Sequence, residues 1–111
     1  MIKKFKPAIE GLIVAFKDKS CLIQILLAFI ALIFAILLDF NYLEMIVVLL
    51  CIGLVIVSEI INTALETLCN KVEINEDPLI KKTKDLAAGA VLFACLVALI
   101  VGIIIIFNKF N

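Results

Sequence analysis

The chain has 111 residues, is 66% hydrophobic with a mean hydropathy of +1.30, and carries a formal net charge of zero. An ordinary soluble domain is about 45–50% apolar, so a soluble enzyme or a nucleic-acid-binding module is excluded and no nucleic-acid partner is expected. What remains is an all-α integral membrane protein, and at about 20 residues per span the length allows one lipid-embedded unit of three transmembrane helices.

Residues 1–19 start basic but lack the continuous apolar stretch of a signal peptide. From 7 to 19 they read as an N-terminal amphipathic interfacial helix: Pro7 suits a first turn, and Ile9, Leu12, Ile13 and Phe16 recur at helical spacing among Lys and Glu. The first span is expected over 21–38, broken in polarity only by Gln24, and Asp39 to Tyr42 is short enough for a tight hairpin turn. The second span is expected over 43–69, about 40 Å of helix, which exceeds the roughly 30 Å of bilayer hydrocarbon, so its far end must emerge. Residues 70–84 read as a polar loop with Pro78 as a breaker. The third span is expected over 86–107, opening with the small-residue run Ala87-Ala88-Gly89-Ala90, which lets another helix approach closely.

The chain is organised around the end of the second span, where Glu59, Asn62 and Glu66 follow a long apolar run. A charge in or near the bilayer core costs roughly 2.5–3.5 kcal/mol on insertion scales, so such a group is a functional candidate by default. At about 100° per residue, Asn62 lies about 60° from Glu59 and Glu66 about 20°, which makes one polar stripe about 10 Å long. A stripe of that kind can glue helices together. Two carboxylates on one face repel, however, and a metal, a cation or a substrate proton is their more natural partner. The chain contains no His, which removes the commonest general base and the His-dependent nucleophile pairs. Cys21, Cys51, Cys69 and Cys95 form no C-x-x-C pair and read as small hydrophobes.

All ten basic residues are Lys, and with three spans nine of them fall on one side, leaving Lys109 alone on the other. By the positive-inside rule the N-terminus and the 70–84 loop are expected in the cytoplasm and the C-terminus outside. The carboxylate end of the second span then meets water-soluble nucleotide and lipid headgroups at one surface.

The stripe Glu59-Ile-Ile-Asn62-Thr-Ala-Leu-Glu66, followed after a polar loop by Lys84-Asp85 and small residues, resembles the prokaryotic diacylglycerol kinase family, which also contains undecaprenol kinases. The likeness covers nearly the whole chain, including the amphipathic start with Gly11-Leu12. It implies a homotrimer of three-span subunits that transfers the γ-phosphoryl group of ATP, with Mg²⁺, to a membrane lipid hydroxyl in sites composed between subunits. By position, Glu59 is similar to the family's catalytic base, and Asn62 supports the same polar cluster. Glu66 resembles a metal-coordinating carboxylate. Asn75, Glu76, Asp77, Lys84 and Asp85 match nucleotide-contacting positions, and Gln24, Glu59 and Ala88 match positions close to the lipid substrate. The family usually carries a second metal-binding Glu between the interfacial helix and the first span. Here the aligned residue is Lys19, and the adjacent Asp18 is the carboxylate expected to replace it as a metal ligand. The competing readings are a small proton-coupled transporter, which requires four spans with a carboxylate near mid-membrane, and a catalytically altered structural homologue of the kinases.

Overall fold

A computed structural model describes residues 2–72 and 77–111 as four helices in chain order: α1 (Ile2–Lys17), α2 (Lys19–Leu37), α3 (Tyr42–Val72) and α4 (Pro78–Lys109). The last three are each long and apolar enough to cross a membrane. All-α architecture with three candidate spans therefore stands, with the helix boundaries set differently from the sequence reading.

The first helix begins at Ile2 rather than at Pro7, which lies inside it. Pro7 removes one backbone donor near the helix start. The chain breaks instead at Asp18, whose extended backbone (φ −73°, ψ 135°) ends α1 and caps α2. Its carboxylate accepts from the backbone N–H groups of Ser20 at 3.2 Å and Cys21 at 3.4 Å, an N-cap bond that satisfies donors the new helix cannot.

At the other end of α2, Asp39 adopts φ 60°. The Asp39 N–H bonds the Ile36 carbonyl at 3.1 Å and the Phe40 N–H bonds the Ala35 carbonyl at 3.0 Å. This pair of bonds is a Schellman closure. Asn41 and Glu44 then start α3 with a reciprocal capping box, each side chain accepting from the other's backbone N–H at 2.9 Å. The hairpin expected at 39–42 is thus a complete stop-and-start signal.

The fourth helix begins at Pro78, about two turns before the expected start near 86. Asp77 caps it through Leu79 N–H at 2.8 Å and Ile80 N–H at 3.4 Å, with Pro78 at the first helical position. Pro78 is therefore an initiator rather than a breaker, because its missing N–H would have had no partner in a first turn. Lys81, Lys82 and Lys84, read as loop residues, are helical.

α3 and α4 form an antiparallel pair tied at both ends. Lys84 donates to the Asn70 side chain at one end, and Lys109 pairs with Glu44 at 3.1 Å at the other, with the Lys109 ammonium 5.7 Å from the Phe40 ring centre. Ala87, Val91 and Ala94 are buried on α4, at the spacing of one helical face. The rest of the small-residue run faces outward: Ala88, Gly89 and Ala90 are exposed, and a Cβ on Gly89 would meet open space. α2 packs on α3, and α1 on α2. The radius of gyration of 16.8 Å exceeds the roughly 13 Å of a compact domain of this length, and large apolar side chains such as Phe29, Leu50, Phe93 and Ile104 point outward. Such a surface suits lipid as solvent.

Candidate active site

The site forms where the α1–α2 junction docks against α3. Glu59 is the buried charged residue among those described, at 5% exposure. The fixed turn at Asp18 and the first turn of α2 bring two further groups to it: ligand atoms of Asp18, Cys21 and Glu59 all lie within 4.8 Å of one another. The Cys21 thiol also approaches the Thr63 hydroxyl at 3.8 Å, one turn along α3 from Glu59. Among the described residues, the ion pairs join Lys81 to Asp85 and Lys109 to Glu44, so no cationic side chain neutralises this carboxylate pair.

Along the stripe, exposure rises away from Glu59: Asn62 is half-buried and Glu66 is exposed. Lys84 lies at Asn70, one turn beyond Glu66 and eleven positions from Glu59, or about 16 Å along the axis. Asp85 turns the other way, into a surface pair with Lys81 at 2.6 Å, because consecutive helical residues point about 100° apart. Asp77 holds the start of α4. Asn75 and Glu76 lie outside the described residues. The structure therefore gathers Asp18 and Glu59, sets Asn62 and Glu66 along the same helix, and leaves Asp85 and Asp77 engaged elsewhere.

An apolar groove of about 370 Å³ runs between the three spans beside this cluster. Leu27 and Ala31 of α2, Ile52 and Ile56 of α3, and Ala98 and Gly102 of α4 line it. Its polar end carries Gln24, whose amide reaches the Cys95 sulfur at 4.0 Å, one turn along α2 from Cys21. Ile56 is in turn one turn of α3 from Glu59. Ala88 is exposed on α4 and does not line the groove. Sequence reasoning missed Cys21, since nothing in its local pattern distinguishes a packed thiol from one facing a carboxylate on another helix.

Three candidate spans, with the largely buried Glu59 beside Asp18 and Cys21 and an apolar groove between the spans, point to a multi-pass membrane protein with an ionisable site. A family model described as prokaryotic diacylglycerol kinase matches residues 6–106, and the chain belongs to that family. It is also similar to the undecaprenol kinase of Bacillus subtilis (strain 168), with 33% identity over 73 residues. That match covers 66% of this chain and 59% of the relative's length.

Proposed function

We propose that the protein is an integral-membrane lipid kinase that transfers the γ-phosphoryl group of ATP to the hydroxyl of a membrane lipid, undecaprenol or diacylglycerol, at the cytoplasmic face. The observation that carries this reading is the buried Glu59 carboxylate one helical turn along α3 from Ile56, which lines the apolar groove. The groove takes a lipid chain, Gln24 marks the level of the headgroup, and Glu59 accepts the hydroxyl proton as the lipid oxygen bonds the γ-phosphorus and the bond to ADP breaks. Three candidate spans among the described residues, where a small proton-coupled transporter needs four, and Glu59 at the level of the first turn of α2 favour a kinase.

The donor set suits Mg²⁺, which needs only one or two carboxylates and retains its waters. Asp18, half-buried and in no ion pair among the described residues, and Glu66, exposed toward water, supply two carboxylates. Mg²⁺ would neutralise phosphate charge there. Asp18 and Glu66 are its proposed ligands. Lys84, held near Asn70, lies where the ATP phosphates would extend from the membrane. In this reading α1 is an interfacial helix, and the lysine distribution supports an N-terminus in the cytoplasm and a C-terminus outside.

A homotrimer with sites shared between subunits completes the reading, and the outward Ala88-Gly89-Ala90 face offers a close-packing surface for a neighbouring copy. Mixing Glu59→Ala chains with chains altered at Lys84 should restore activity if each site draws on two subunits. No restoration at any ratio would argue for self-contained sites. The groove is tested by Ala31→Trp or Ala98→Trp, which should raise the KM for lipid several-fold and leave the KM for ATP unchanged. Equal effects on both would remove the lipid from the groove.

A further inference from the structure

Cys21 is 2% exposed, yet its sulfur is not enclosed by hydrocarbon alone: it faces two carboxylates from different elements. Of these, Glu59 is more than nine-tenths buried and, among the described residues, makes no hydrogen bond or ion pair, while its carboxylate points into the group. A largely buried carboxylate with no cationic partner either takes a proton or holds a cation. The side chains on offer comprise two hard oxygens and one soft sulfur.

We propose that Asp18, Cys21 and Glu59 form a binding site for a thiophilic divalent cation, of which zinc is the biologically available example. Zinc bonds sulfur at about 2.3 Å and carboxylate oxygen at about 2.0–2.2 Å, so tetrahedral ligand atoms sit about 3.5 Å apart. The trio, whose ligand atoms lie within 4.8 Å of one another, closes to that spacing by side-chain rotation of about an ångström. On binding, the thiol loses its proton to solvent and the thiolate ligates the metal. Three protein ligands leave a fourth position for water or a phosphate oxygen.

Two features orient the ligands before metal arrives. The capping bonds from Ser20 and Cys21 hold Asp18 Oδ2, and the Thr63 hydroxyl sits 3.8 Å from the Cys21 sulfur. Such outer contacts fix ligand geometry. A thiolate favours zinc over magnesium, which prefers oxygen. Because Asp18 and Glu59 also serve the proposed phosphoryl transfer, zinc at this trio blocks that reaction. The inhibition rests on the kinase reading, whereas the binding does not.

Cadmium alone, titrated into the purified full-length protein in detergent micelles, tests the site through the ultraviolet thiolate-to-cadmium absorption band. A saturable band is expected that disappears in Cys21→Ser and persists in Cys51→Ser. Glu59→Gln and Asp18→Asn should each weaken the cadmium affinity by about tenfold or more, by comparison with the 10–100-fold lost with mere outer-shell partners. Asn is as good an N-cap as Asp, so Asp18→Asn removes the ligand and retains the fold. A band that survives Cys21→Ser, or that keeps its affinity in both carboxylate variants, overturns the proposal. The titration needs neither ATP nor lipid, so cadmium binding by a protein inactive as a kinase would refute the kinase reading alone.

Discussion

Glu59→Gln separates chemistry from binding and from stability. Two full charges 4.8 Å apart, the upper limit of the observed spacing, repel by about 3.5 kcal/mol at an effective dielectric of about 20. Water reaching the half-buried Asp18 reduces this to about 1–2 kcal/mol. The amide is nearly isosteric and removes one of the two charges, so the variant should unfold at the wild-type temperature or above it. Its turnover should behave in the opposite way. Loss of a general base costs about a hundred- to ten-thousand-fold, or about 3–5 kcal/mol of transition-state stabilisation. Nucleotide affinity should stay within a few-fold of wild type, because Glu59 acts on the lipid hydroxyl. Lipid-dependent phosphate transfer, equilibrium ATP binding and thermal unfolding in the same detergent read the three effects separately. A stable variant that keeps more than a tenth of wild-type turnover would refute the role given to Glu59.

Glu66→Gln should fail differently: being exposed and closer to water, it should weaken magnesium dependence and ATP affinity as well as rate, measured by magnesium titration at fixed lipid. Asp18→Asn should keep the α2 cap yet lower activity at least tenfold, while Lys19→Glu should be neutral or activating. Wild-type activity and magnesium dependence in both Asp18→Asn and Glu66→Gln would return the polar stripe to a structural role. At the far end, Lys109 pairs with Glu44 at 3.1 Å, so Lys109→Ala should lower the unfolding temperature by removing the side-chain tie between α3 and α4. Asp39→Gly should be neutral or stabilising by up to about 1 kcal/mol, and Asp39→Val should destabilise by a similar amount or more, because the φ of 60° suits Gly and opposes a β-branched residue.

The spans were legible because lipid imposes long apolar runs, and Glu59 was legible because charge inside such a run is rare. Asp77-Pro78 carried a readable helix-start signal, but Pro78 in a polar segment also fits a loop, and the capping bonds decided between them. Asp18 was identified from its position in the family pattern, whereas its contact with Glu59 depends on how the α1–α2 turn docks on α3, which no local periodicity encodes. The same holds for Cys21. Lys109 looked like a lone charge on the outer side, and its pairing with Glu44 required knowing that α3 and α4 stay together along their whole length.

Phosphate transfer from γ-labelled ATP by the purified protein, with undecaprenol and diacylglycerol offered side by side and Glu59→Gln run in parallel, bears most directly on the central claim. Labelled lipid phosphate that requires magnesium and disappears with Glu59→Gln is the predicted result. No labelled product with either lipid from a folded, ATP-binding protein, or equal labelling by Glu59→Gln, would contradict it.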